Sequence, residues 1–338
     1  MAMTIYDISK KAGVSIATVS RVLNDSENVR PSTRKKVMDV IDKYDYTPNA
    51  FARGMGLHSL KTIGILCADS SDLFLAKAVY FLEQELQANG YESLLCCTGY
   101  NLDIKKNYLN LILSKKVDSI ILVGSHFIGS TEDENQYIKD VSTQVPIMLL
   151  NASFDHPNVY STLCDDYGTM FEAATEMIQS GITDILYLYD SKSYSGLKKL
   201  HGFCDAMKEH NIPGFEKLIH FYDGNIEHLD EVANFVAHIA KKGTPFHAIM
   251  TSDDSLAIGS IKYAQKKGIR IPEELSVMGY NNSMLTNCCT PELTSVDNRL
   301  ETQTHQLVQT LLGVLAGEEM PKKSIFSGKI IKRGTTLF

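Results

Sequence analysis

The sequence predicts an N-terminal all-α helix-turn-helix head followed by an α/β body of two doubly wound subdomains. Three observations carry that prediction. Two short amphipathic helices meet at Gly13 near the start of the chain. From Lys61 onward, strand-like apolar runs alternate with helix-length amphipathic segments, the pattern of parallel sheets covered by helices on both faces. The chain has 338 residues, which is too long for one small module and enough for two or three domains.

The first helix opens at Thr4, with Asp7 three positions on completing a capping-box spacing. Ile5, Ile8 and Ala12 share one of its faces. Gly13 supplies the permissive backbone of a sharp turn, and Val14 is the apolar plug beneath it. Ser15 caps the second helix, whose Val19, Val22 and Leu23 point inward at helical spacing. Its outward face keeps Ile16, Ala17, Ser20 and Arg21. Those residues are short, apolar or cationic, which suits contact with base edges and thymine methyls. After a polar loop, Pro31 starts a third helix, since a first-turn residue needs no amide donor. Val37, Val40, Ile41 and Tyr44 form the stripe expected to close the small core. Arg30, Ser32, Thr33, Arg34 and Lys35 cluster at the start of that helix, where a phosphate is favoured. Pro48 then ends the head, and the segment up to residue 60 is too short and glycine-broken to be a stable helix alone.

The whole chain carries a net charge of −7, which by itself argues against nucleic acid. The distribution reverses that. Residues 1–58 hold nine Lys/Arg against six Asp/Glu, a charge of +3, and the remainder holds 24 against 34, a charge of −10. A basic head on an acidic body lets phosphates attract one end only. Hydrophobic residues make up 44% and no run approaches the length of a membrane span. The start of the chain lacks the apolar core of a signal peptide. The seven cysteines include no C-x-x-C pair, which argues against a disulfide framework and a thiolate zinc site. The expected compartment is the cytoplasm.

In the body, strands are expected at 62–67, 92–97, 119–123 and 146–150, with helices at 74–88, 103–114 and 136–142. A second set follows. Helices are expected at 169–179, 196–208, 229–240 and 255–266, and strands at 184–188, 217–221, 248–250 and 275–278. A helix at 300–315 and a closing strand end the chain. No heptad tail of the kind that makes tetramers is present, so a homodimer is expected.

Ligands of open α/β sheets sit beyond the carboxyl ends of the strands, so polar residues at those ends are candidates for binding. They are Ser71 and Asp72, with Phe74 as a stacking ring, then Asn151, Asp190, Asp253 and Asn281.

The string Thr4 to Asn24 resembles the head of the LacI/GalR family of bacterial repressors. It has the T-x-x-D opening, the A-G-V-S turn and the A-T-V-S-R-V-x-N reading helix. The body resembles the periplasmic-binding-protein type I fold, and Thr290 to Val296 resembles the family's P-x-L-T-S/T strand. The resemblance implies a helix-turn-helix domain over 1–46, a hinge over 47–60 and an effector-binding and dimerisation domain over 61–338. Subdomain one is placed at about 61–160 and 291–322, and subdomain two at about 161–290 and 323–338. It implies major-groove reading by Ile16, Ala17 and Arg21, phosphate anchoring through Ser15, Thr18, Ser20 and Asn24, and further contacts from Thr4 and Tyr6. Hinge residues Asn49, Ala52 and Met55 would meet operator DNA, with Met55 standing at the position of a minor-groove leucine wedge. Gly54 and Gly56 would each raise the cost of folding that hinge by about 1 kcal/mol.

In the body, Lys199 stands where the resemblance implies a ligand-facing arginine, which adds it to the binding candidates, Asp253 where it implies an asparagine, and Asn281 where it implies an aspartate. The partners implied are double-stranded pseudo-palindromic operator DNA, a second copy of the chain and a sugar or sugar derivative, a phosphosugar being reachable through Lys198 or Lys199. No cofactor or metal is implied, and no membrane partner. An enzyme is not expected, because no G-x-G-x-x-G, P-loop, H-E-x-x-H or G-x-S-x-G motif occurs. Two alternatives stand beside the sugar-controlled regulator: a catabolite regulator whose corepressor is a phosphorylated carrier protein, and a solute-binding protein with no DNA role.

Overall fold

The computed structural model describes residues 3–23, 26, 28–46, 59–243 and 245–337. Asn24, Asn49, Ala52 and Met55, and with them nearly all of the hinge, lie outside the described residues. The chain divides into a small head unit and a large body unit, the latter Ile63–Lys115 and Ser119–Phe338.

The head holds α1 (Ile5–Ala12), α2 (Ile16–Leu23) and α3 (Pro31–Lys43). The capping box forms as expected. Thr4 N donates to Asp7 Oδ2 at 2.9 Å, and Asp7 N donates to Thr4 Oγ1 at 3.3 Å. These bonds to Thr4 hold the Asp7 carboxyl below its ordinary value. Gly13 sits at φ 60°, the left-handed region that lets the turn close within one residue. Ile8, Ala12, Val19, Val22, Val37 and Ile41 are buried together beneath it. Tyr44 departs from expectation. The third helix ends at Lys43, so Tyr44 leaves the helical register and its ring lies out under Lys11 Nζ, 4.3 Å from the centroid. Tyr46 takes its place in the core.

The body consists of two six-stranded lobes. In lobe one, β1 (Thr62–Cys67), β2 (Glu92–Cys97), β3 (Ser119–Val123), β4 (Ile147–Leu150), β5 (Val159–Cys164) and β11 (Lys323–Phe326) run in the order β11-β5-β4-β3-β1-β2. The helices α4 (Leu73–Ala88), α5 (Leu102–Ser114) and α6 (Gln136–Ser142) belong to this lobe, joined by α11 (Leu300–Leu315) from late in the chain. In lobe two, β6 (Ile185–Tyr189), β7 (Ile219–Phe221), β8 (Ala248–Thr251), β9 (Ser276–Tyr280), β10 (Thr294–Asp297) and β12 (Lys329–Ile331) run in the order β12-β10-β9-β8-β6-β7. Its helices are α7 (Asp166–Gln179), α8 (Tyr194–Glu209), α9 (Leu229–Lys241) and α10 (Asp254–Lys267). β10 pairs antiparallel with β12, whereas β1 with β3, β3 with β4, β4 with β5, β5 with β11, β6 with β7 and β8, and β9 with β8 and β10 pair in parallel.

The chain crosses between lobes after β5, after β10 and after β11. These crossings differ from the expected subdomain limits in three respects. β5 was not foreseen, because a strand covered on both faces shows no alternation and its Ser161 and Thr162 read as loop. β10 pairs with β9 and stays in lobe two, so the return to lobe one begins after Asp297. β11 pairs with β5 and lies in lobe one, so 323–326 does not belong with subdomain two.

α7 and α8 pack closely because Gly202 removes a side chain at their crossing. A Cβ at Gly202 would collide with the Tyr167 carbonyl oxygen, which is backbone and cannot step aside. Gly202→Ala is therefore expected to destabilise the body by about 2 kcal/mol. Urea unfolding checks this through a lower midpoint at unchanged slope.

Candidate nucleic-acid interface and ligand cavity

On the head, the side chains expected to meet DNA are displayed at the surface. Ile16, Ala17 and Arg21 are exposed on α2, and Thr4 and Tyr6 are exposed at the start of α1. Ser15 is exposed and caps α2, since Thr18 N donates to Ser15 Oγ at 3.2 Å. The hydroxyls of Ser15 and Thr18 lie 2.8 Å apart. Thr18 and Ser20 are half-buried, so only part of each faces outward. Arg34, expected near a phosphate, donates instead to the Ser26 carbonyl at 2.6 Å and ties the loop before α3.

In the body, strand ends from both lobes converge on a cavity. An inner chamber of about 90 Å³ opens into an outer one of about 710 Å³, and Asp72, Asp190 and Asp253 line both. Of the eight residues expected here, seven line the inner chamber: Asp72, Phe74, Asn151, Asp190, Lys199, Asp253 and Asn281. Ser71 lies only at the outer chamber, because its backbone and hydroxyl both turn back to Asp69 Oδ1 at 2.8 Å. The expected set missed eleven further residues of this lining, Tyr100, Ser125, His126 and Ser193 among them. Tyr100 follows β2, Ser125 and His126 form a 3₁₀ turn after β3, and Ser193 caps α8. Applying the strand-end rule to β2 and β3 would have found the first three.

Local backbone explains how each group is aimed. Asp72 caps α4 through Leu75 N at 2.8 Å, and Asp253 caps α10 through Ser255 N at 2.7 Å. Asn151 and Asn281 hold φ of 64° and 97°, a turn conformation at the strand end that asparagine tolerates. Asn281 Nδ2 donates to Asp253 Oδ2 at 2.8 Å. The resemblance implied asparagine at 253 and aspartate at 281. The structure therefore keeps one carboxylate and one amide in contact with their places exchanged.

Asp253 retains some surface on the cavity, yet its carboxylate is enclosed. Burial first, then neighbouring Asp190 and Asp254, pushes it up to about 7. Asp254 beneath it is pushed up to about 6 by burial, while Ser295 Oγ and Ser283 N each donate to it at 2.6 Å.

Lys199 lines the cavity, but its ammonium is engaged there. Nζ donates to the Ser252 carbonyl at 3.0 Å and lies 3.9 Å from the Tyr280 ring centroid. Tyr280 OH donates to Asp166 Oδ1 at 2.7 Å, and Ser195 Oγ donates to Asp166 Oδ2 at 2.5 Å. Lys199 thus serves as the counter-charge of a buried aspartate. Lys198 is exposed, with Nζ 5.9 Å from the Tyr194 ring, and does not line the cavity. The lobes also touch directly. Ser125 Oγ donates to Ser193 Oγ at 2.8 Å, and His126 Nε2 lies 3.5 Å from Ser191 Oγ. Burial first, then Lys105, lowers the His126 pKa, while Lys105 Nζ holds the His126 carbonyl at 2.6 Å.

A helix-turn-helix head and a two-lobed α/β body with a polar cavity at its strand ends define a class, a DNA-binding transcriptional regulator. Residues 4–49 match the family model for bacterial regulatory proteins of the lacI family, and residues 174–336 match that for a periplasmic binding protein-like domain. An HTH-type transcriptional regulator of Lachnoclostridium phytofermentans is 50% identical over 336 residues, spanning 99% of this chain and 100% of its own. Catabolite control protein A of Priestia megaterium is 32% identical over 303 residues, spanning 88% of this chain and 87% of its own. The lac repressor dimer bound to operator and the anti-inducer ONPF shares the fold, with a TM-score of 0.89 at 20% identity and full coverage of both chains. The chain belongs to the LacI family of bacterial regulatory proteins. Among the described residues no helix is long and apolar enough to cross a membrane.

Proposed function

We propose that this regulator is a cytoplasmic repressor of carbohydrate genes that binds a pseudo-palindromic operator as a homodimer and is controlled by a sugar-like effector in the cavity between its lobes. The observation that carries the reading is the convergence of seven expected polar and aromatic residues on one chamber where the two lobes meet. Effector binding favours one relation of the lobes, and operator affinity changes by the difference in effector affinity between the two states. On DNA, Ile16, Ala17 and Arg21 read the major groove, while Ser15, Thr18, Ser20 and Asn24 anchor on phosphates with help from Thr4 and Tyr6. Asn49, Ala52 and Met55 of the hinge make the remaining contacts.

Fluorescence-anisotropy titration of the intact protein against palindromic and scrambled duplexes tests the DNA side. Binding that prefers the palindrome and weakens steeply with salt supports it, and indifference to both ends it. Arg21→Ala is expected to relax base preference at one operator position by about 1–3 kcal/mol. An equal loss on every sequence would assign Arg21 to a phosphate instead. The likeness to catabolite control protein A supports a second reading, in which a phosphorylated carrier protein acts as corepressor. Calorimetry with that carrier beside a sugar panel separates the two.

A further inference from the structure

The wall of the cavity is rich in carboxylates. Asp72, Asp190 and Asp253 face the inner chamber, and Asp69 and Glu227 join them around the outer one. Among the described lining residues, Lys199 is the one formal cation, and its charge is already matched to buried Asp166 through Tyr280. Three inner carboxylates are left without a counter-charge. A metal ion does not answer them, since no three His, Cys, Asp or Glu among the described residues gather closely enough to hold one. Carboxylates too loosely set for a metal's short bonds can still surround an ammonium through hydrogen bonds, so their complement is an organic cation. Phe74 and Tyr100 add ring surface on which such a cation or a sugar ring can lie. Asn151 and Ser191 offer neutral groups that hydroxyls can bond.

Building on the effector-cavity reading above, we infer that this site takes a polyhydroxylated amine, an amino sugar in its ammonium form, in preference to a neutral or phosphorylated sugar. The ammonium sits among Asp72, Asp190 and Asp253, and the hydroxyls take the amide and serine groups. A phosphate is excluded by the same carboxylates, because neither Lys199 nor Lys198 is placed to receive it.

Binding of the amine depends on pH. Asp253 faces Asp190 from the end of β6, Asp72 from the start of α4, Asp254 on its own helix, and the amide of Asn281. His126 also faces the cavity, and burial and Lys105 lower its pKa, which disfavours a competing positive charge there. Asp253 ionises near neutrality in the empty cavity, and an ammonium binds its charged form. Affinity for the amine therefore rises as pH climbs toward neutrality, whereas a neutral sugar gains nothing from that ionisation.

Calorimetry on the intact protein with matched pairs decides the matter: glucosamine against glucose, galactosamine against galactose, the glucosamine disaccharide against cellobiose, and glucose 6-phosphate as the anion. In at least one pair the amine is expected to bind about tenfold or more tightly than its neutral parent. That affinity should increase about tenfold between pH ~5.5 and ~7. Asp253→Asn should reduce the amine-to-parent ratio to about threefold or less, and Asp190→Asn serves the same purpose if the first variant does not fold. A neutral or phosphorylated sugar that binds as tightly as its amine partner overturns the inference while leaving the cavity as the effector site. So does a ratio that survives the substitution. Silence from every member of the panel, charged or neutral, overturns the effector-cavity reading and this inference with it.

Discussion

Lys199→Met is expected to cost the body about 3–5 kcal/mol, although the residue lies where a ligand contact was expected. The cost arises behind the cavity wall. Asp166 is buried, with Ser195 and Tyr280 donating to its two oxygens, and Lys199 lies over the same Tyr280 ring. Burial drives the Asp166 pKa up and Lys199 is the strongest influence pulling it down. Removing one member of such a pair strands the other as an unmatched buried charge, which is far worse than removing both. The double variant Lys199→Met with Asp166→Asn should therefore recover most of the loss. Urea unfolding of the native chain, both single variants and the double closes the cycle. The single Lys199 variant should also regain stability in acid, where Asp166 can take a proton. Additive losses with no such recovery would show that Lys199 acts through packing alone.

The same residue shows where the sequence is legible and where it is not. The family resemblance placed Lys199 at the cavity, and the structure puts it there, on α8. The sequence did not show that its charge is already matched, because Asp166 is 33 positions away and reads as an ordinary first-turn acid of a helix. The head was legible nearly throughout, since its capping box, its left-handed glycine and its helical stripes are all local. Tyr44 failed because one residue beyond a helix end suffices to turn a side chain from core to surface. In the body, strands with apolar runs were visible while β5 was not, its buried hydroxyls imitating a loop. The sheet assignments of β10 and β11 depend on pairing between distant segments, which local pattern does not encode. Tyr100 and His126 are turn residues whose edge-to-face contact at 4.8 Å exists only once β2 and β3 stand in the same sheet.

Stability of the ligand-free body is expected to fall as pH rises from ~5 to ~8, opposite to the usual carboxylate behaviour. A carboxyl whose pKa is raised on folding binds its proton more tightly in the folded state. Its contribution is complete in acid and disappears as pH rises through the folded value. Asp253, moved from 3.8 to about 7, and Asp254, moved to about 6, both act in this sense. For Asp253 alone the loss over that interval is about 3 kcal/mol. His126 and His220 oppose it, because their pKa values are lowered by burial and the folded state resists charging them as pH falls. The net slope of the native chain is accordingly shallower than the sum of the aspartates. The decisive measurement is the difference between the native chain and Asp253→Asn, followed by urea unfolding across the interval. The variant should lack about 3 kcal/mol of the alkaline loss, and parallel curves would show that Asp253 is charged throughout. An ammonium ligand at saturation should erase the same difference in the native chain, since it supplies the counter-charge that the empty cavity replaces with a proton.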